Sequence, residues 1–219
     1  MTARLPNRLK TAADMCRRGG IVCDVGTDHA LLACYLAENG AREVIASDIK
    51  DGPLLAARRT IEQTGARNVR MVKSNGLERI DYADDVVIAG MGGELIAEII
   101  GGCRFLSEDT RFILQPMTKA ELLRRWLYEN GFEICEERSA FDGGRAYVIM
   151  LVRFTGVRQQ ISEVFAYCGK VKDRVCLELT ARKLLKNAES MERSAGHAEE
   201  ALKLRQTAEQ ILLQAEGSS

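Results

Sequence analysis

The sequence predicts an α/β fold: a parallel sheet, an antiparallel strand pair at its end, and a C-terminal antiparallel helical hairpin of coiled-coil type. Three observations predict it. Between residues 20 and 115, Val/Ile-rich runs of four to six residues alternate with segments whose apolar residues recur at helical spacing. The tripeptide DGG joins two further β-rich runs, and the last third of the chain changes to heptad-like seams.

Taken in order, the runs GIVCDVG, EVIASD, VRMVKSNG, DVVIAGMGG and RFILQP each end in Gly, Asp, Asn or Pro, as short strands joined by helices do. TKAELLRRWLYENG then reads as an amphipathic helix closed by Gly131. FEICEERSAF and RAYVIMLVRF flank Asp142-Gly143-Gly144, a hairpin signal that adds an antiparallel pair to the sheet. Beyond about residue 157, Leu177, Ala181, Leu184, Ala188, Met191 and Ala195 form one seam. Ala201, Leu204, Ala208, Ile211 and Ala215 form a second, and SAGH separates the two. The chain is thus expected to divide into a domain over 1–156 and a hairpin over 157–219.

Composition narrows the function. At 219 residues and 46% hydrophobic, the chain can bury a full α/β core. Seven cysteines without a C-x-x-C pair exclude a disulfide framework or zinc knuckle and fit a reducing cytoplasm. No apolar leader and no long apolar stretch occur, so neither secretion nor a membrane partner is expected. The formal net charge of zero argues against a wholesale nucleic-acid coat, so any RNA would have to be met by a local basic patch.

Ligands of open α/β sheets lie over the carboxyl ends of the strands. After the first strand, DVGTDHA carries Asp28 where a dinucleotide fingerprint needs its second glycine. A carboxylate there repels pyrophosphate and welcomes a cation. Asp48 ends the second strand 24 residues beyond Asp24, the usual distance for an acid that accepts ribose hydroxyls. A nucleoside with a cationic centre and no phosphate meets both conditions, and S-adenosyl-L-methionine is such a molecule. Asn75 could read an adenine edge, and Gly90, Gly92 and Gly93 allow backbone to approach a ligand. Singly, Asp24 and Asp48 also suit turns or caps, Asp28 an N-cap, and His29 a helix surface.

The stretches RLKTAADMCRRGGIVCDVGTDHALLACYL, DIKDGP, SNGLE, VVIAGMGGELIAEII and LQPM followed by LRRWLYENGF resemble the bacterial tRNA (adenine(22)-N(1))-methyltransferases, the TrmK type. The resemblance runs from Arg8 to Phe154 and more loosely through the tail. It implies a Rossmann-like class I methyltransferase with a seven-stranded, mostly parallel sheet. It also implies S-adenosyl-L-methionine as methyl donor, S-adenosyl-L-homocysteine as product, and N1 of adenosine 22 in the D-arm region of tRNA as acceptor. By motif, Asp24 and Gly26 would floor the methionine part, Asp48 and Ile49 would take the ribose and border the adenine, and Asn75 and Gly76 would bound the adenine ring. Ala89, Gly90, Met91 and Gly92 would lie under the methyl group. Asp28 would face the reacting centre with His29 beside it, and Gln115, Pro116 and Met117 would border the incoming base. The family often has an acid at the position of Asn75 and Asn at that of Met117.

A tRNA partner directs attention to Arg4, Arg8, Lys10, Arg17 and Arg18 before the first strand. Lys170, Lys172, Arg174, Arg182, Lys183 and Lys186 form a second basic group before or on the hairpin. No metal is expected, and the assembly expected is a monomer or weak dimer. Two other readings stay open: a methyltransferase of this fold acting on a small molecule or protein, and a noncatalytic cofactor-binding adapter.

Overall fold

The computed structural model describes residues 5–193 and 197–217. The Val/Ile-rich runs form five parallel strands, β1 (Ile21–Val25), β2 (Glu43–Asp48), β3 (Val69–Lys73), β4 (Asp85–Gly92) and β5 (Arg111–Thr118). The two β-rich runs around DGG form β6 (Phe132–Asp142) and β7 (Arg145–Phe154). The seven-stranded sheet has the order β3-β2-β1-β4-β5-β7-β6, with β7 antiparallel to both its neighbours. Gly143 and Gly144 join β6 to β7 with φ of 55° and 74°. Two successive positive φ angles match the strand twist, which is why glycines stand there.

Helices cover both faces, so the strands read as apolar runs rather than as an alternation. On one face, α1 (Asn7–Asp14), α2 (Leu31–Glu38) and α3 (Asp51–Thr64) bring Ala12, Leu36 and Ala57 onto Val22, Val44, Val87 and Ile113. On the other, α4 (Gly93–Gly101) and α5 (Ala120–Glu129) pack together and against β5, burying Ile96, Ile100, Leu123 and Leu127. A buried ion pair, Arg124 Nη2 to Glu137 Oε1 at 2.8 Å, ties α5 to β6.

The amino ends of the central strands are locked by charge. Asp85, at the start of β4, is fully buried and accepts from the Arg17 backbone N–H at 2.6 Å and its Nε–H at 3.0 Å. Arg111 donates to the same carboxylate from Nε at 2.9 Å and Nη2 at 2.7 Å. Arg17 also reaches the Asp84 and Asp109 carbonyls. One carboxylate thereby fixes the segment before β1 against β4 and β5.

The chain divides into two compact units, the second beginning at Gln160. That unit holds α6 (Glu163–Cys168), α7 (Arg174–Glu192) and α8 (Ala198–Glu216). The seams pack as the heptads require: Leu177, Ala181, Leu184 and Ala188 on α7 and Ala201, Ala208, Ile211 and Ala215 on α8 are buried. Glu192 accepts two bonds from Arg205, at 2.7 and 2.8 Å, across the hairpin. Arg4, Ala195 and the break over 194–196 lie outside the described residues. Helices α1 and α6 were not signalled by the apolar pattern. Helix α6 is set by Ser162, whose Oγ accepts from the Phe165 N–H at 3.2 Å.

Asp85→Ala should destabilise the protein by about 2–3 kcal/mol, because two guanidinium groups lose their shared partner. Those side chains keep 38% and 25% of their exposure and can regain water, which holds the loss below that of a fully buried pair. A lower urea midpoint at unchanged m-value is the expected result.

Candidate active site

Parallel pairing brings the loops after β1, β2, β3, β4 and β5 to one edge of the sheet. In the β1–β2 and β1–β4 registers Val25 faces Ser47 and Ile88. The connections diverge on either side of β1 and β4, the switch point at which such sheets take ligands.

The loop after β1 hangs from β2: the Ser47 carbonyl accepts the Gly26 N–H at 2.8 Å and the Thr27 N–H at 2.9 Å. Gly26 has φ +76°, and the Met91 methyl group packs where a side-chain carbon would stand. Asp24 is 5% exposed and Thr27 2% exposed. Burial pushes the Asp24 carboxyl up to about 6; the nearby Thr27 hydroxyl opposes the rise and the Asp48 charge adds to it. The Thr27 Oγ1 is buried without a hydrogen-bond partner.

Asp28 and His29 follow in the loop rather than on α2. Ala30 takes the left-handed conformation, φ 52°, and the helix begins at Leu31 without a side-chain cap. The N-cap reading of Asp28 and the helix-surface reading of His29 are therefore corrected: the left-handed residue separates both from the helix. Their side chains are 81% and 58% exposed, with His29 Nε2 3.5 Å from Asp28 Oδ2.

Asp48 Oδ1 accepts the Lys50 N–H at 2.8 Å, a local turn that leaves Oδ2 without a partner among the described residues. Ile49 beside it is exposed. The Asp48 carbonyl accepts the Ser74 N–H at 3.0 Å and so carries the next loop. There Asn75 Nδ2 donates to Glu78 Oε1 at 2.8 Å, and Gly76 adopts φ +54° against Ile99.

The ends of β4 and β5 are irregular. Ala89 faces Gln115, Met91 faces Pro116 and Gly92 faces Thr118, so the register slips twice, with Gly90 at φ +82°. Fully buried Gln115 accepts from Arg8 Nη1 at 2.9 Å and donates to the Pro116 carbonyl at 3.0 Å, with Met117 Sδ 3.5 Å away. Met117 itself is exposed. Behind this edge, Gly93 presses on the Lys119 carbonyl so tightly that no side chain fits.

The basic residues separate. Arg8 reaches the site edge through Gln115, and Lys10 is exposed on α1. Arg17 is spent on Asp85 at the amino ends of the strands, and the methylenes of Arg18 lie on Gly40. Arg182 and Lys183 are exposed on α7 of the second unit, Arg182 being 3.9 Å from Glu178. Sequence reasoning missed Thr27, although its place directly after a strand was a signal. It also missed Tyr147, whose ring centroid lies 5.9 Å from the Arg8 guanidinium carbon. Among the described residues, no cluster of three His, Cys, Asp or Glu could hold a metal, and no helix is long and apolar enough to cross a membrane.

A sheet of this order, with acids ending β1 and β2 and a glycine bulge on β4, is the Rossmann-like methyltransferase architecture. Residues 5–150 match the family described as a methyltransferase domain, and the chain belongs to that family. It is similar to the tRNA (adenine(22)-N(1))-methyltransferase of Bacillus subtilis, at 38% identity over 153 residues, covering 68% of this chain. The match spans 64% of that relative's length. The crystal structure of the B. subtilis tRNA methyltransferase TrmK superposes with a TM-score of 0.78 at 29% identity, covering 98% of each chain. A Streptococcus pneumoniae protein solved in complex with S-adenosyl-L-methionine gives 0.80 at 29% identity, covering 95% of this chain and 100% of that one.

The raised Asp24 pKa sets a pH signature. The native state holds this proton up to about pH 6, whereas an unfolded aspartate releases it near 4. The unliganded protein therefore gains stability as pH falls from 6 toward 4, and above 6 it carries the full cost of a buried charge, on the order of 3 kcal/mol. Asp24→Asn should raise Tm at pH 7.5 and flatten this slope; a variant that keeps the wild-type slope would assign it elsewhere.

Proposed function

We propose that this chain is an S-adenosyl-L-methionine-dependent methyltransferase acting on N1 of adenosine 22 in tRNA. The observation that carries the reading is the juxtaposition, at one sheet edge, of a buried acid, an unpartnered buried hydroxyl and glycines with positive φ. The similarity to the B. subtilis enzyme supports the choice of substrate.

The residues present fit the cofactor. Bound there, S-adenosyl-L-methionine supplies a methyl group activated by a sulfonium. Asp24 and the orphaned Thr27 hydroxyl suit its ammonium-bearing portion, and Gly26 keeps the floor bare. Asp48, with one carboxylate oxygen unengaged, suits a ribose diol; Ile49, Asn75 and Gly76 would border the adenine. Ala89, Gly90, Met91 and Gly92 offer backbone and one thioether beneath the reacting centre.

Adenine N1 carries an in-plane lone pair, so no strong base is needed and positioning dominates. The Asp28 carboxylate projects from a loop fixed by Ala30, where it can accept a hydrogen bond from the exocyclic amino group and stabilise the cationic ring that forms. His29 stands beside that carboxylate, with Nε2 3.5 Å from Asp28 Oδ2. N1 lies on the pairing edge, so the adenosine must be turned out to meet Asp28. Pro116 and Met117 would flank it, while Lys10 and, on the second unit, Arg182 and Lys183 would take phosphates. Seven cysteines with no C-x-x-C pair support a reducing cytoplasm as the working compartment.

Mass spectrometry of nucleosides, with fragment mapping of unmodified tRNA after reaction, should locate one methyl group on N1 of adenosine 22. Methylation elsewhere, or none, overturns the reading. Asp28→Ala should lower kcat by about 10²–10³ while the cofactor Kd stays within about twofold. Because the ammonium requires ionised Asp24, cofactor affinity should fall about tenfold between pH 7.5 and pH 5. Asp24→Asn should abolish that dependence.

A further inference from the structure

The carboxylates of the β1 and β2 loops suit a cation, yet the same edge holds a guanidinium with no carboxylate partner among the described residues. Arg8 is part-buried, and its Nη1–H is bonded to the Gln115 side-chain oxygen at 2.9 Å. Its other guanidinium N–H groups have no acceptor among the described residues, and no carboxylate there lies within ion-pair distance of it. Arg17, Arg111 and Arg124 each meet a carboxylate. A part-buried cation without a carboxylate partner is ready to take up an arriving anion.

The group is also held in place. Asp142, at the tip of the β6–β7 hairpin, accepts the Asn7 and Arg8 backbone N–H groups at 2.9 and 2.7 Å, fixing the start of α1. The Tyr147 ring lies under the guanidinium at 5.9 Å. In front of it stands Gly90, where an added side-chain carbon would sit 3.9 Å from Arg8 Nη1 with no other atom that close. A fork-shaped donor, pinned on two sides and facing bare backbone, is suited to an oxyanion.

We infer that Arg8, backed by Tyr147 and Gln115 and facing Gly90, forms an oxyanion subsite that takes a carboxylate or phosphate oxygen of one of the two reactants. The inference rests on the methyltransferase reading above, in which Gly90 lies under the reacting centre. The shared chemistry has two sources: the carboxylate of the cofactor's amino-acid part and a backbone phosphate of the RNA.

The test compares Arg8→Gln, which removes charge but retains a donor for Gln115, with Arg8→Lys, which retains charge without the fork. Binding of S-adenosyl-L-homocysteine, of 5′-methylthioadenosine, which lacks the amino-acid part, and of tRNA is measured at low and high salt, alongside Tm. If the source is the carboxylate, Arg8→Gln weakens S-adenosyl-L-homocysteine about tenfold and leaves methylthioadenosine unchanged. If it is the phosphate, Arg8→Gln weakens tRNA about tenfold and lowers the salt slope by about one. In either case Arg8→Lys recovers part of the loss. Unchanged binding of all three ligands overturns the subsite, as does an equal loss in both variants that tracks Tm. Labelled methyl transfer to tRNA by the wild-type protein tests the underlying reading separately, since ligand binding does not require it.

Discussion

The candidate site depends on one carbonyl. Ser47, buried at the end of β2, accepts two successive N–H groups from the loop after β1, and this follows from the parallel register that sets Val25 beside it. With Gly26 and Thr27 held, the chain must leave the sheet with a positive φ, Thr27 turns inward, and Asp28 emerges into solvent before Ala30 starts the helix. The next residue on β2, Asp48, is then positioned by the same strand and passes the constraint to Ser74 through its own carbonyl. Backbone pairing alone thus aligns three loops, and the side chains are left to serve a ligand.

The two ends of the sheet treat charge in opposite ways. At the amino ends, one carboxylate collects two guanidiniums, and both of them are paired. At the carboxyl ends, a buried acid and an orphaned hydroxyl stand in the loop and strand end at β1, and the Arg8 guanidinium of α1 has no carboxylate partner among the described residues. Desolvated polar groups left incomplete are unfavourable in the isolated chain, and they are the groups that a ligand can complete.

Much of the fold was legible because its signals are local. Val/Ile runs closed by turn residues gave the strands, paired glycines at 143 and 144 gave the hairpin, and the alanine seams gave the two long helices. Helix α1 was not legible, because its anchor is Asp142, 135 residues from Asn7 in the chain. For the same reason Arg8 and Arg17 read as equals in one basic segment, although Gln115 draws one to the site edge and Asp85 draws the other to the opposite end. Asp28 read as a possible cap because residue type cannot announce that Ala30 will take a left-handed turn. The turn reading holds for Asp48, whose Oδ1 accepts the Lys50 N–H, but not for Asp24, which lies buried inside β1.

The locked amino ends have a consequence for how inherited changes in this chain would show themselves. A lesion among the residues around Asp85 acts on the fraction of molecules that are folded, so quality control removes the protein and its cellular abundance falls. A lesion among the exposed loop residues near Asp28 leaves abundance untouched and, under the proposed role of that carboxylate, would silence each molecule individually. The same loss of product would thus arise by two routes, separable by measuring how much protein is present, and the sheet's two ends mark the boundary between them.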